Sequence, residues 1–166
     1  YLGGGTPTAL EAADLERILK AARENLPLAN DCEITIEGRL ANFDARKMEA
    51  CLAGGANRFS LGVQSFNTEI RRSMGRLGTR EDMIRGLELL MSYNQAAVIV
   101  DLIYGFPRQT MNCWLEDIAV AQSINLDGAD CYQLNVYGQT PLGKAIQQGS
   151  IPPAADAPTQ SAMFAA

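Results

Sequence analysis

A glycine turn and four polar side chains stand at the ends of apolar stretches in this chain, and each is a place where chemistry can be done. Gly3, Gly4, Gly5 and Thr6 offer bare backbone N–H groups. Glu37 falls near the end of Cys32 to Gly38, Gln64 ends the run that starts at Arg58, Asp101 interrupts Ala97 to Pro107, and Asn135 comes late in Asp130 to Tyr137. Three glycines let a chain turn sharply and bring N–H groups against a ligand. The run is neither a Gly-x-Gly-x-x-Gly fingerprint nor a Walker loop, since no Lys-Ser/Thr follows. An unpaired carboxylate among side chains such as Val98, Val100 and Ile103 is costly, so Asp101 needs a cation, a hydrogen-bond donor or a ligand. The sequence has no histidine, which removes the usual general base and the commonest metal ligand.

The elements that would position these groups follow from periodicity. A helix from about Glu11 to Leu26 carries Leu15, Ile18, Leu19, Ala22 and Leu26 on one stripe and stops at Pro27. Cys32 to Gly38 alternates as a strand. Asp44 caps a helix through Met48 and Leu52 that ends at Gly54-Gly55, and Arg58 to Ser65 is the next strand. Asn67 or Thr68 opens a short helix, and Thr79-Arg80-Glu81-Asp82 begins a longer one with Met83, Ile84, Leu87, Leu90 and Met91 inward. Ala97 to Pro107 does not alternate and predicts a strand buried on both faces. Thr110 caps a helix with Trp114, Leu115, Ile118 and Ala121 on one face, and Asp130 to Tyr137 is the last strand. Leu142 to Gln148 has helical potential, and the Pro- and Ala-rich tail after Ser150 is expected to be loosely ordered.

This order is a run of βα units, so the fold class is α/β, a partial (βα) TIM-like barrel of parallel strands with outer helices. Residues 1–138 form the barrel part and 139–166 a C-terminal extension, partly disordered. In a barrel the carboxyl ends of the strands meet on one face, so the five endings would line one pocket. As purely structural groups, Glu37 would pair with Arg39, Gln64 would bond loop backbone, and Asp101 would partner Arg58 or Arg76. Asn135 fits the structural role better; Glu37 and Asp101 fit a functional one.

A formal net charge of -5 argues against a broad nucleic-acid surface, which rests on Lys and Arg neutralising phosphates. No apolar run reaches the length of a membrane span, and no signal-peptide pattern opens the chain, so a cytoplasmic location is expected. The chain begins with Tyr1, and its glycine turn would follow a strand lying mostly before that residue, as in an excised fragment. The four cysteines, Cys32, Cys51, Cys113 and Cys131, are too far apart for metal or redox motifs and are expected to be free thiols.

Gly3 to Thr8 (Gly-Gly-Gly-Thr-Pro-Thr), Gly55 to Phe66, Met74-Gly75-Arg76 and Asp101 to Thr110 resemble the radical S-adenosylmethionine enzymes related to oxygen-independent coproporphyrinogen III oxidase. The resemblance covers nearly the whole chain, in the right order. It implies part of a three-quarter barrel. It also implies that Gly4, Gly5 and Thr6 receive the amino end of the methionine moiety of S-adenosylmethionine, and that Glu37 and Gln64 bond ribose or nearby polar atoms. Arg76 would face a carboxylate, Asp101 would take ribose hydroxyls or assist at a second S-adenosylmethionine, and the backbone around Ile103 and Asn135 would hold adenine.

The family's Cys-x3-Cys-x2-Cys motif, which binds a [4Fe-4S] cluster, does not occur in these residues; the resemblance places it ahead of Tyr1. By themselves the residues given are therefore expected to be inactive. In the whole protein, the resemblance implies reductive cleavage of S-adenosylmethionine, an electron donor such as a flavodoxin, and a tetrapyrrole substrate. Glu37-Gly38-Arg39, where most relatives carry Glu-x-Asn/Asp-Pro, is most similar to the branch for anaerobic haem utilisation, which methylates haem and opens its ring. The alternatives are decarboxylation of coproporphyrinogen propionates and, from another class, a haem chaperone. A nucleotide-binding βα domain without radical chemistry is the bland reading. An exposed barrel edge at the Gly3 strand would invite dimerisation.

Overall fold

The computed structural model describes residues 1–166. Its framework is one parallel sheet in the order β1 (Thr35–Gly38), β2 (Arg58–Gln64), β3 (Ala97–Tyr104) and β4 (Gly128–Gln133). Leu2 adds an isolated parallel bridge to Ile36 at the β1 edge, its N–H donating to Thr35 and its carbonyl accepting from Glu37, both at 2.9 Å. Between strands come α1 (Ala12–Asn25), α2 (Ala45–Ala53), α3 (Thr68–Ser73), α4 (Arg80–Ser92) and α5 (Met111–Ser123). Asp44, Asn67 and Thr110 accept from backbone N–H groups as N-caps, and Thr79 with Asp82 closes a capping box.

The core lies between the sheet and the helices. Phe59, Leu61 and Val63 of β2 and Val98, Val100 and Leu102 of β3 are fully buried against Leu15, Leu19, Met48, Leu87 and Trp114. The other face of the sheet is less buried and mixes Ser60, Gln64 and Asp101 with Ile99 and Ile103. The expectation that Ala97 to Pro107 is buried on both faces is therefore corrected: β3 alternates buried and half-buried positions, with Ala97, Ile99, Asp101 and Ile103 on the half-buried side. Helices cover only one face; beside Asp101 and Ile99 on the other lie polar groups of neighbouring strands.

Two strand limits also differ from expectation. β1 begins at Thr35 rather than Cys32 because the Asn57 side chain satisfies the preceding backbone, accepting from Ile34 N–H at 2.7 Å and donating to the Cys32 carbonyl at 3.1 Å. β4 starts at Gly128 and stops at Gln133, leaving Asn135 beyond the ladder. Leu134 N–H still donates to Tyr104 at 2.9 Å, but its carbonyl accepts from the Gln160 side chain at 3.4 Å instead of from a strand.

The helical potential at Leu142 to Gln148 is realised as α6 (Pro141–Gln147), capped by Thr140. The stretch after Ser150, expected to be loosely ordered, contains α7 (Ala157–Ala165), capped by Asp156. Met163 is 1% exposed, and Trp114 Nε1 donates to its carbonyl at 2.7 Å. Amid the Ala and Pro of this stretch, Met163 is the large apolar side chain that α7 buries.

Candidate functional site

The parallel register brings the strand ends together. Glu37 of β1 is level with Ser60 of β2, and Gly62 of β2 is level with Asp101 of β3. Ser60 Oγ donates to Asp101 Oδ1 at 3.3 Å. The ion pairs considered for Asp101 do not form: Arg58 instead reaches Glu33 at 3.9 Å and Asp130 at 4.0 Å. Burial pushes the Asp101 carboxyl above its ordinary range; the Ser60 hydrogen bond opposes that, and the charges of Asp130 and Glu37 add to it. Glu37 likewise does not pair with Arg39. Its Oε1 accepts from the Tyr1 hydroxyl at 2.7 Å, and that bond is the main reason the phenol is pushed up to about 12.

Gln64 has a φ of 71°, in the left-handed region, where β2 shifts register between Gly62 and Gln64. Its side chain folds over Gly62, where a Cβ would stand 2.6 Å from Gln64 Nε2. A non-glycine residue in this region is held by its surroundings. Here the holders are buried. Asp117 accepts from Ser65 Oγ and Phe66 N–H, each at 2.7 Å. Arg71 donates to the carbonyls of Val63 and Ser65, and across the next loop to Leu77 at 2.8 Å and Gly78 at 3.3 Å.

A polar cleft of about 180 Å³ results, and it gathers six of the residues singled out from the sequence: Gly5, Thr6, Glu37, Gln64, Arg76 and Asp101. Gly38, Arg39, Ser60 and Gly62 complete it, and none of its lining is hydrophobic. Gln64 and Arg76 also border an adjoining cavity of about 130 Å³ with Ile103, Ile70, Met74, Phe106 and Leu134. Gly4 lines neither space; its φ of 91° shapes the turn. Asn135 is exposed and also lines neither, one residue after Leu134.

Sequence reasoning gave Arg39 and Ser60 no binding role and missed the apolar cavity. Alternation along Arg58 to Gln64 does place Ser60 with Gly62 on the site face. Ile70, Met74 and Phe106 carry no such signal, because an apolar residue lining a cavity resembles one in the core.

The charges are sorted within the cleft. Glu37 acts on Asp101, so the acids are neighbours; Arg39 acts on Arg76, whose guanidinium is held below its ordinary range mainly by burial and then by Arg39. Neither Arg39 nor Arg76 makes an ion pair. Adjacent acids and the Arg76 guanidinium beside an apolar slot suit a ligand with a cationic end, a carboxylate, hydroxyls and a flat apolar group.

The Radical SAM superfamily matches residues 1–121, and the chain belongs to that family. It is 55% identical over 149 residues to the anaerobilin synthase of Escherichia coli O157:H7, covering 90% of this chain and 34% of that protein. It is 36% identical over 166 residues to the heme chaperone HemW of Synechocystis, covering 99% of this chain and 39% of the relative. The solved coproporphyrinogen III oxidase HemN of Escherichia coli superposes with a TM-score of 0.82 at 29% identity, covering 98% of this chain and 37% of that one. The chain thus spans between a third and two fifths of the length of these relatives. The sheet and helices here are part of the radical SAM barrel.

Members of the family use S-adenosylmethionine and a [4Fe-4S] cluster. The cleft fits the first: backbone at Gly5, two acids, the unpaired Arg76 guanidinium and an apolar slot match its chemistry. These residues do not fit the second. The four cysteines are separate free thiols, Cys51 is fully buried and pushed by burial up to about 12, and no three His, Cys, Asp or Glu residues gather. Cluster ligation needs thiolates brought together. No helix is long and apolar enough to cross a membrane.

Proposed function

We propose that the cleft binds S-adenosylmethionine and that the protein to which this chain belongs acts on haem, methylating it and opening the ring in anaerobic haem utilisation. The observation carrying this reading is the joint presence of the sorted acid and guanidinium cleft and 55% identity to an anaerobilin synthase over nine tenths of the chain. When bound, S-adenosylmethionine supplies a methyl group or a 5′-deoxyadenosyl radical. In this reading the Gly4 to Thr6 backbone, with Glu37, receives the amino end of methionine. Arg76 takes its carboxylate. Asp101 and Gln64 hold ribose hydroxyls, and Ile103, with the chain leading to Asn135, borders adenine. An electron donor such as a flavodoxin, and pairing of the Leu2 edge with a second copy, belong to the same proposal.

A second reading, haem carriage, is favoured by the match to HemW along 99% of the chain. Both are tested on the intact gene product, reconstituted anaerobically with iron and sulfide and given reductant, S-adenosylmethionine and haem. Haem-dependent 5′-deoxyadenosine with bleaching of the haem bands supports the enzyme. Retained haem bands without haem-dependent 5′-deoxyadenosine overturn the haem-opening reading, leaving coproporphyrinogen as the next substrate to try and carriage as the rival.

A further inference from the structure

Beside the polar cleft lies a second one of about 160 Å³, and the two share Arg39, Gly62 and Arg76. Arg71, Leu40, Leu77 and Met83 border this second space. Its three guanidiniums differ in what occupies them. Arg71 is 4% exposed and spends its N–H groups on four backbone carbonyls. Arg39 and Arg76 make no side-chain hydrogen bond and no ion pair, although each acts electrostatically on its neighbours in the cluster. One carboxylate from the methionine moiety would satisfy Arg76 and leave Arg39 open.

The backbone of Arg39 is held in place. Its N–H donates to Thr8 Oγ1 at 3.0 Å, Thr8 is fully buried, and Lys47 Nζ donates to the Thr8 carbonyl at 2.9 Å. Gly38 permits this, since a Cβ there would overlap the Thr8 side chain. Arg39 is exposed, so water solvates its guanidinium in the free protein, and the fixed backbone presents that group to an anion at the border of the two clefts. Around it, Leu40 and Met83 are apolar, and Leu77 is 79% exposed. The space suits a short carboxylate arm attached to a larger apolar body lying outside over Leu77.

We propose that Arg39 binds a second carboxylate, a propionate arm of the tetrapyrrole, at a subsite separate from the one Arg76 provides for methionine. This inference rests on the functional reading above and adds the group by which the substrate is held. A carboxylate could also come from a second S-adenosylmethionine, and the two sources give opposite results in one experiment.

In the intact gene product, haem and haem dimethyl ester, whose propionates are blocked, are each titrated by absorbance into the wild type and Arg39→Ala and Arg39→Lys variants. S-Adenosylmethionine is titrated in parallel by calorimetry. Losing a charge-assisted bond costs on the order of tenfold to a hundredfold in affinity. The expected result is a loss of that size for haem in Arg39→Ala, a smaller loss in Arg39→Lys, no loss for the ester, and S-adenosylmethionine affinity within about twofold. Equal losses for haem and ester, or no loss for haem, overturn the propionate assignment. A loss confined to S-adenosylmethionine overturns it in favour of the cofactor's carboxylate. Wild-type protein that binds haem but forms no haem-dependent 5′-deoxyadenosine refutes the catalytic reading alone, because the binding comparison still decides the subsite.

Discussion

The Glu37 carboxylate lies directly against the backbone of Gly3, so that a Cβ at Gly3 would overlap Glu37 Oε2. The glycine turn and the first acid of the site are therefore one packed unit. At Gly5, by contrast, nothing lies within 4 Å of a Cβ, and the residue borders the cleft.

These two glycines should separate when substituted. Gly3→Ala displaces Glu37 and is expected to weaken S-adenosylmethionine binding and lower thermal stability together. Gly5→Ala should leave the melting temperature unchanged while weakening binding, since no protein atom lies within 4 Å of the added methyl group and it would project beside the cleft. Calorimetric titration with paired thermal melts of the intact protein checks both; equal melting shifts would refute the distinction.

Gln64 tests the strained strand end. Alanine at its φ of 71° keeps the left-handed backbone and loses the side chain, whereas glycine adopts that φ freely. Gln64→Gly should therefore be more stable than Gln64→Ala by about 1 kcal/mol, the usual cost of a left-handed L-residue. Both should bind S-adenosylmethionine more weakly than the wild type. Urea denaturation measures the difference, and an Ala variant as stable as the Gly variant would count against strain.

Asp101 makes stability depend on pH. An acid whose folded value is raised holds more protons folded than unfolded between the two values. Its contribution is present below the ordinary carboxylate range and is lost as pH rises through the raised value. Asp101→Asn should flatten that decline and leave the ligand-free protein more stable at neutral pH, while weakening S-adenosylmethionine binding. Denaturation midpoints from pH 4 to pH 8 for both proteins check the slope; parallel curves would refute it.

The docking of α7 is tested at Trp114. Trp114→Phe keeps most of the ring packing but leaves the Met163 carbonyl without its donor, at a cost of about 1–2 kcal/mol. Limited proteolysis should then cut ahead of Ala157 sooner than in the wild type. Unchanged cleavage would mean that Met163 packing alone secures the helix.

The βα order, the helix caps and six residues of the polar cleft were legible in the amino-acid sequence, because caps, glycine turns and strand-ending polar residues are local signals. Asp44, Asn67, Thr79 and Thr110 act within a few residues of themselves, so no tertiary knowledge was needed to place them. The motif resemblance likewise rests on residues contiguous in sequence, from Gly3 to Thr8 and from Asp101 to Thr110. Tertiary structure decided what depends on elements distant in the chain. It set the open inner face of β3, the choice of Tyr1 over Arg39 for Glu37, and the burial of Met163 beneath Trp114. It also left Arg39 and Arg76 unpaired at a shared border. Partner choice for a charged or apolar side chain is a competition among groups brought together by folding, and spacing along the chain carries no record of that competition.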